Sequence, residues 1–294
     1  MNEVANAAPA STRATSSARA QAKRRELVWR VLFYVGISLY ALLLMLPLLT
    51  LVSVSFRSDA DVFAPGIFPP HPTLEAYATA FSKYPLTRFL LNSLLVSSLV
   101  TLGVLIVASS TGYALARVRA PWTRLVFGLV VVLLLMPGEV TFLPLFLLVN
   151  RLGWTDTFLA LTVPFIASPL GIFLMRQFML SLPQELFDAA RMDGAGHLRQ
   201  LWHVAVPLSL PALGALGSLT FLGTWNMYLW PLVVVNSKEM QTAQIAVSMI
   251  LNDESTRWNV VAAGAMFVLL PTLVAFLVAQ RAFVRGIAMG GLKG

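Results

Sequence analysis

Apolar positions fill the chain in six long blocks separated by short polar stretches. The blocks run about Leu27–Phe56, Arg88–Leu115, Leu125–Val149, Thr157–Leu180, Val204–Val235 and Asn259–Ala282. Each reaches the ~18–20 residues that a helix needs to cross the hydrocarbon core of a bilayer. Strands cross in far fewer residues and alternate in polarity, so the pattern predicts an all-α, polytopic membrane bundle of six transmembrane helices.

The intervening stretches differ in kind. Residues 1–26 are rich in Ala, Ser, Thr and Arg and can bury no core, which predicts a disordered tail. A cytosolic tail with a basic anchor is the first reading, and an Arg- and Ser-rich transit peptide is the other. Residues 27–294 then form one transmembrane domain. A polar, proline-rich segment with "PGIFPPHP" (Pro65 to Pro72) follows the first block, and Ala116–Arg124 is a short basic loop. Asn236–Trp258 is a long polar loop.

Composition sharpens the reading. Hydrophobic residues make up 57% and charged residues 12%, about half the charge fraction of a soluble domain. Cysteine is absent, which removes disulfides, thiolate metal sites and cysteine nucleophiles. The net charge of +8 reflects the side of the membrane on which basic residues collect, so no nucleic-acid partner is expected. Fifteen of the 21 lysines and arginines fall on one side of the predicted topology, among them Arg13, Arg19, Lys23, Arg117, Arg119, Arg124, Arg176, Arg191, Arg199, Arg281, Arg285 and Lys293. Arg57, Lys83, Arg88, Arg151, Lys238 and Arg257 fall on the other. Both termini and the Ser181 region are therefore expected in the cytoplasm.

One stretch on that side stands out. "SLPQELFDAARMDGAG" (Ser181 to Gly196) sets three carboxylates and an arginine between two apolar blocks. Ser181 and Gln184 have capping-box spacing, with Pro183 in the first turn. Glu185 and Asp188 lie where the helix dipole favours negative charge. Ala189 and Ala190 leave a face of little bulk, and Gly194 and Gly196 are able to take positive φ. A second helix over His197–Val206 leads to Pro207 and Pro211. The result is a cytoplasmic helix–turn–helix over about 181–203, read either as a docking element for a partner protein or as a solvated connector.

"FDAARMDGAGHLRQLWHVAVPLSLPAL" resembles the EAA motif of bacterial ABC importer permeases. Asp188-Ala189-Ala190 stands for E-A-A, with the shorter aspartate replacing glutamate, and Asp193-Gly194-Ala195 stands for D-G-A. "LLMPGEVTFLPLF", "WNMYLWPL" and "QRAFVRGIAMGGLKG" are similar to the carbohydrate-importer branch, on the side of the second permease subunit of maltose and glycerol-3-phosphate systems. The resemblance implies an ATPase-coupling interface at Glu185, Asp188, Ala189, Ala190, Asp193, Gly194 and Ala195. It also implies an ATP-binding subunit dimer, a second homologous permease, an extracytoplasmic solute-binding protein met by the Asn236–Trp258 loop, surrounding lipids, and residence in the bacterial cytoplasmic membrane. ATP and Mg would sit on the partner ATPase, and this chain would bind no cofactor or metal and carry no catalytic residue. ATP would close the ATPase dimer, the Asp188–Gly194 helix would move with it, and the bundle would switch from inward to outward facing. The solute would be a sugar, or a polyol or glycerol-3-phosphate. Consistently, the chain has no G-x-x-x-x-G-K-[ST] phosphate loop.

For the solute pathway the candidates are Glu139, Trp225, Asn226 and Tyr228. A mid-span carboxylate is costly in lipid and should face the bundle or a wet cavity. There Glu139 either meets hydroxyls or a proton, or satisfies backbone groups freed at Pro137. Trp225, Asn226, Tyr228 and Trp230 either stack and hydrogen-bond a sugar or form an interfacial aromatic belt. His71, His197 and His203 have no metal-site spacing. A proton-driven secondary transporter with Glu139 as carrier is the rival class, but it calls for paired intramembrane ionisable groups and an inverted repeat, and neither is visible. An intramembrane enzyme is weaker still, because no nucleophile–base pair lies in the spans.

Overall fold

The computed structural model describes the backbone of residues 11–253 and 257–291, and side chains over 24–253 and 257–277. Residues 1–10 of the expected tail, the side chains of Arg13, Arg19, Lys23, Arg281 and Arg285, and Lys293 lie outside the described residues. Among those described, the regular structure is helical throughout.

The chain divides into two compact units, Met1–Ser53 with Pro65–Phe68, and Val54–Ala64 with Pro69–Gly294. The first consists chiefly of α1 (Ser11–Ser55). Its backbone is already helical from Ser11, inside the stretch read as an unstructured tail. Its apolar part covers Arg24–Ser55.

The second unit is built around α3 (Leu86–Arg117). One face of α3 carries Val96, Val100, Val104, Ala108 and Gly112, all buried. Spacing by four stacks these small and β-branched residues into a single stripe. The stripe lets neighbouring helices come close, the usual device where lipid gives helices no hydrophobic reason to associate. α3 packs most extensively on α7 (Pro169–Leu180) and α11 (Leu210–Trp225), and α11 packs in turn on α14 (Trp258–Gly291).

Four helical stretches are long and apolar enough to cross a membrane: Arg24–Ser55, Leu86–Arg117, Phe158–Leu180 and Trp258–Leu277. The expected third and fifth spans are bent pairs instead. α4 (Trp122–Leu135) meets α5 (Gly138–Arg151) at 106°, and His197–Leu208 meets α11 at 79°. With each bent pair taken as one span, the number is six. The first bend follows from Pro137, which has no N–H to give and forces Met136 out of the helical region, to φ −74° and ψ 128°. The second falls at Ser209, between Pro207 and Pro211, where the Ser209 N–H still reaches Ala205 O and Val206 O at 3.0 Å. The fourth span is interrupted more gently between α6 (Phe158–Ile166) and α7, where Ser168 Oγ accepts from Gly171 N at 3.1 Å.

Two segments expected as irregular contain helices. α2 (Glu75–Lys83) buries Ala76 and Ala80. Inside the Asn236–Trp258 loop, α13 (Ala243–Leu251) buries Ala243, Ile245, Ala246 and Ile250. The polar ends of that loop hide a short apolar helix, too short to register as a span. The fifth block also ends earlier than expected: α11 stops at Trp225 and a separate α12 (Leu229–Val234) follows.

The α3–α7 approach gives a direct test. A Cβ on Gly112 would lie 2.9 Å from the Arg176 backbone nitrogen and 2.9 Å from Met175 Cβ. Backbone cannot swing aside as a side-chain tip can. Gly112→Val should therefore destabilise the bundle by about 1–3 kcal/mol and lower its thermal unfolding midpoint in detergent. Gly128→Val, where a Cβ meets nothing within 4 Å, should leave the midpoint close to wild type.

Candidate functional site

The helix–turn–helix read from the sequence is present. α8 (Gln184–Met192) ends at Asp193, and Gly194 takes φ +78°, as the turn requires. The Ala195 N–H donates to Ala190 O at 2.9 Å and closes the turn. α9 (His197–Gln200) starts at once, passes into a π-helical turn over Leu201–Ala205, and continues through α10 (Val206–Leu208). Gly196 is extended at φ −68° and serves as the N-cap of α9.

The expected capping box does not form. The N-cap of α8 is Pro183, and no side chain caps it. Ser181 Oγ donates back to Phe178 O at 2.7 Å, because α7 ends there and its last carbonyls need partners. Gln184 turns toward Arg117 and Asp188.

Burial divides α8 into faces. Phe187 is 1% exposed and fixes the helix to the bundle. Glu185, Ala189 and Asp193 are exposed, Asp188 is exposed, and Ala190 and Ala195 are half-buried. Met192 and Leu198, one on either side of the Gly194 turn, are 88% and 72% exposed. Both stand out as large apolar side chains at a tight polar turn. The sequence reasoning passed over both residues, although each is a bulky apolar residue beside a turn glycine.

It also passed over the anchor, counting Arg117 only as a basic residue of the inner side. From the end of α3, Arg117 Nη2 donates to Met179 O at 2.6 Å and Leu182 O at 2.8 Å, at the end of α7. Arg117 Nη1 donates to Gln184 Oε1. The guanidinium lies 4.2 Å from the centre of the Phe187 ring, within cation–π range. A second tie lies one turn earlier on α3. The Tyr113 hydroxyl donates to Gln200 Oε1 at 3.1 Å and lies 3.2 Å from His197 Nδ1, and Gln200 Nε2 donates to Ala195 O at 2.6 Å. α8 and α9 are thus held by side chains from the end of α3, with neighbouring support from α7.

The pathway candidates are dispersed. Glu139 is exposed in the first turn of α5, directly after the Pro137 break. Trp225 is 1% exposed and packs beside Phe221, ring centres 6.0 Å apart, so in this conformation its face is not open to a solute. Trp230 is also buried and donates to Ala160 O at 2.9 Å. Asn226 and Tyr228 are exposed: Asn226 Oδ1 accepts from Gln244 Nε2 at 3.1 Å, and the Tyr228 hydroxyl lies 3.1 Å from Ser248 Oγ. Both therefore face α13.

α13 and the strand of chain before it are tied to the other end of α3. Asn92 Nδ2 donates to Glu239 O at 2.8 Å and Gln241 O at 2.9 Å, and Ser93 Oγ accepts from Ala243 N at 2.8 Å. Beyond α13, Asp253 Oδ2 receives the Tyr84 hydroxyl at 2.6 Å and Lys83 Nζ at 2.8 Å. Burial, with this carboxylate beside it, pushes the Tyr84 phenol up to about 12. Arg257 pairs with Asp59 at 2.8 Å and donates to Thr79 Oγ1 at 2.8 Å.

Broken apolar spans around a tightly packed α3, with a pinned, exposed helix pair at one end, describe a polytopic membrane bundle. Residues 108–288 match the family described as "Binding-protein-dependent transport system inner membrane component", and the chain belongs to that family, as the membrane-spanning permease component of a binding-protein-dependent importer. It is 33% identical over 272 residues to the arabinooligosaccharides transport system permease protein AraQ of Bacillus subtilis (strain 168), covering 91% of this chain and 97% of that protein. It is 35% identical over 256 residues to the sn-glycerol-3-phosphate transport system permease protein UgpE of Yersinia pestis bv. Antiqua (strain Antiqua), covering 84% of this chain and 91% of that protein. In fold it is similar to a chain of a bacterial ABC transporter involved in the import of the acidic polysaccharide alginate, with a TM-score of 0.80, 23% identity, and coverage of 88% of this chain and 98% of that one.

The start of the Asn236–Trp258 loop hangs on one carboxylate. Asp156, at φ +62°, gives its N–H to Val234 O at 2.8 Å. Its Oδ1 accepts from Asn236 N at 3.1 Å, Ser237 N at 3.0 Å and Ser237 Oγ at 2.8 Å. The backbone bond from Ser237 leads in holding its pKa below the usual 3.8. A folded-state pKa below the unfolded one stabilises the fold at pH above the unfolded value, and the gain is lost as pH falls through the folded one. Asn tolerates the same φ, so Asp156→Asn isolates the charge. The variant should unfold at lower temperature than wild type at neutral pH, and the gap should close as the pH falls below about 4, the unfolded carboxylate range. An equal gap at both pH values would contradict the assignment.

Proposed function

We propose that this permease carries a polyhydroxylated solute of the sugar or glycerol-phosphate class, and that α8 and the Gly194 turn receive the force of an ATP-binding subunit dimer. In this reading a second, homologous permease completes the translocation path, and an extracytoplasmic solute-binding protein delivers the solute at the α13 side. The solute class rests on the near-full-length similarity to two permeases whose names carry an arabinooligosaccharide and sn-glycerol-3-phosphate. Asn226 and Tyr228, exposed and polar beside α13, suit contacts with hydroxyls. Glu139, exposed at the broken span, suits a wet path better than a lipid-facing one.

The docking reading is carried by one observation: α8 is exposed on its outer side yet bound by Phe187 and Arg117 to the ends of α3 and α7. A displacement of α8 is thereby handed to the bundle. Ala190→Trp should overfill the contact, and overpacking costs about 1–3 kcal/mol. Gly194→Val should strain a positive-φ turn by a similar amount, about 1–3 kcal/mol. Both variants should insert and pair with the second permease but lose the ATPase subunit in pull-down, or lose stimulation of its ATPase by loaded binding protein in vesicles. Full attachment, stimulation and uptake in both would reduce α8 to a connector.

The same reading requires α8 on the cytoplasmic side. The chain has no cysteine, so single cysteines report position cleanly. In intact cells, an impermeant thiol reagent should label Ser82→Cys and Ser248→Cys and spare Asp193→Cys until the membrane is opened. Labelling of Asp193→Cys from outside would reverse the orientation.

A further inference from the structure

Beside α8 lies an open polar recess of about 450 Å³. Arg117, Arg119, Gln184, Asp188, Arg191 and His197 line it. Three of these are guanidinium cations and one is a carboxylate. Asp188 is already engaged within α8, accepting from Gln184 Nε2 at 3.1 Å and Arg191 Nη1 at 3.4 Å.

The cations are not equivalent. Arg117 is immobilised by two carbonyls, an amide and an aromatic ring. Every one of those partners is neutral, so its charge is held in place without a counter-ion bonded to it. Its Nε is buried and without a hydrogen-bond partner. Arg119 is exposed and makes no hydrogen bond or ion pair among the described residues. Arg191 meets Asp188 only at 3.4 Å, with both side chains more than half exposed. The recess therefore gathers three cations against one carboxylate, with Arg117 alone held firmly in place.

Its position decides what water is replaced by. Gln184, Asp188 and Arg191 are spaced by four and three, so they line one flank of α8. The adjoining face presents Glu185, Ala189 and Asp193 to the outside. A protein that grips that face also covers the recess. Covering guanidinium groups without a counter-charge carries a desolvation penalty, and a carboxylate placed among them offsets part of it.

We infer that the recess is a socket for an acidic side chain of the ATP-binding subunit, which would seat between Arg119 and Arg191 when α8 docks. The inference rests on the docking reading of α8. It adds the sign of charge the partner brings to this spot, opposite to the basic groups that would answer Glu185 and Asp193. Neighbouring patches of opposite sign fix the register of docking as well as its strength.

The test measures attachment of the ATPase subunit to the permease complex in uncharged-lipid nanodiscs, over a range of ionic strength. Arg119 is exposed, so its replacement does not threaten the fold. Arg119→Glu should weaken attachment about tenfold or more and flatten its salt dependence. Arg119→Lys, which keeps a point charge, should attach nearly as wild type. Ala190→Trp serves as the control for the docking reading. If Ala190→Trp loses the ATPase subunit while Arg119→Glu and Arg191→Glu keep wild-type affinity and salt dependence, the socket is refuted and docking through α8 stands. If all three attach normally, both ideas fail. If Arg119→Glu attaches normally in uncharged discs and differs from wild type only when anionic lipid is present, the recess serves a lipid headgroup and the socket is refuted.

Discussion

Arg117 joins segments that the chain itself connects only by long detours. It sits at the last residue of α3, yet it completes the carbonyls at the end of α7 and covers the aromatic anchor of α8. A helix end leaves several carbonyls without partners, and a cation there also meets the negative end of the helix dipole. A neutral donor could satisfy the carbonyls but could not meet the dipole. Without Arg117, α8 would keep the apolar contacts of Phe187 but lose its hydrogen bond through Gln184 to the end of α3. The Tyr113–Gln200–Ala195 chain repeats the device one turn deeper and fixes the second helix of the pair. Both ties begin on α3, so the helix pair is an extension of that one helix.

The breaks in the spans follow a different constraint. Inside a bilayer an unpaired backbone group is expensive, so irregular backbone survives only where protein or water satisfies it. The break at Ser168 is satisfied locally by its own hydroxyl, and the one at Ser209 by a bifurcated backbone bond. At the Met136–Pro137 corner the Met136 N–H reaches Val132 O at 3.2 Å and the Val140 N–H reaches Pro137 O at 3.1 Å. This corner turns the chain through 106° and leaves Leu135, Met136 and Glu139 exposed. A carboxylate at such a corner is costly against lipid and favoured beside water or another subunit, which is the ground for proposing Glu139 on the solute path.

Much of this was legible from the order of residues. Long apolar blocks declare spans, and Gly194 announced its turn because few other residues adopt that φ cheaply. What escaped was decided by tertiary competition. Ser181 had the spacing for a capping box, but a nearer carbonyl of α7 took its hydroxyl. α13 has only nine residues and polar flanks, so its apolar face looked like loop until α3 and α14 were seen to cover it. Trp225 carries the composition of a sugar platform, yet its neighbours bury it, and sequence spacing cannot distinguish a presented ring from a packed one. Arg117 was visible only as one more charge on the inner side, because its partners lie more than sixty residues away.

The two ends of α3 give the architecture its mechanical sense. Asn92 and Ser93 hold the chain leading into α13, and Tyr113 and Arg117 hold α8 and α9. At ~1.5 Å per residue these anchor points stand roughly 35 Å apart along one helix axis. Val96, Val100, Val104, Ala108 and Gly112 seat the intervening turns against their neighbours with little side-chain bulk. A stripe of that kind lets neighbouring helices approach closely and pack along the whole length between the anchors. In the proposed docking reading, motion imposed on α8 would reach α13 through this one helix. A flexible loop at either anchor would absorb the displacement instead, which accounts for the polar side chains that tie both ends down.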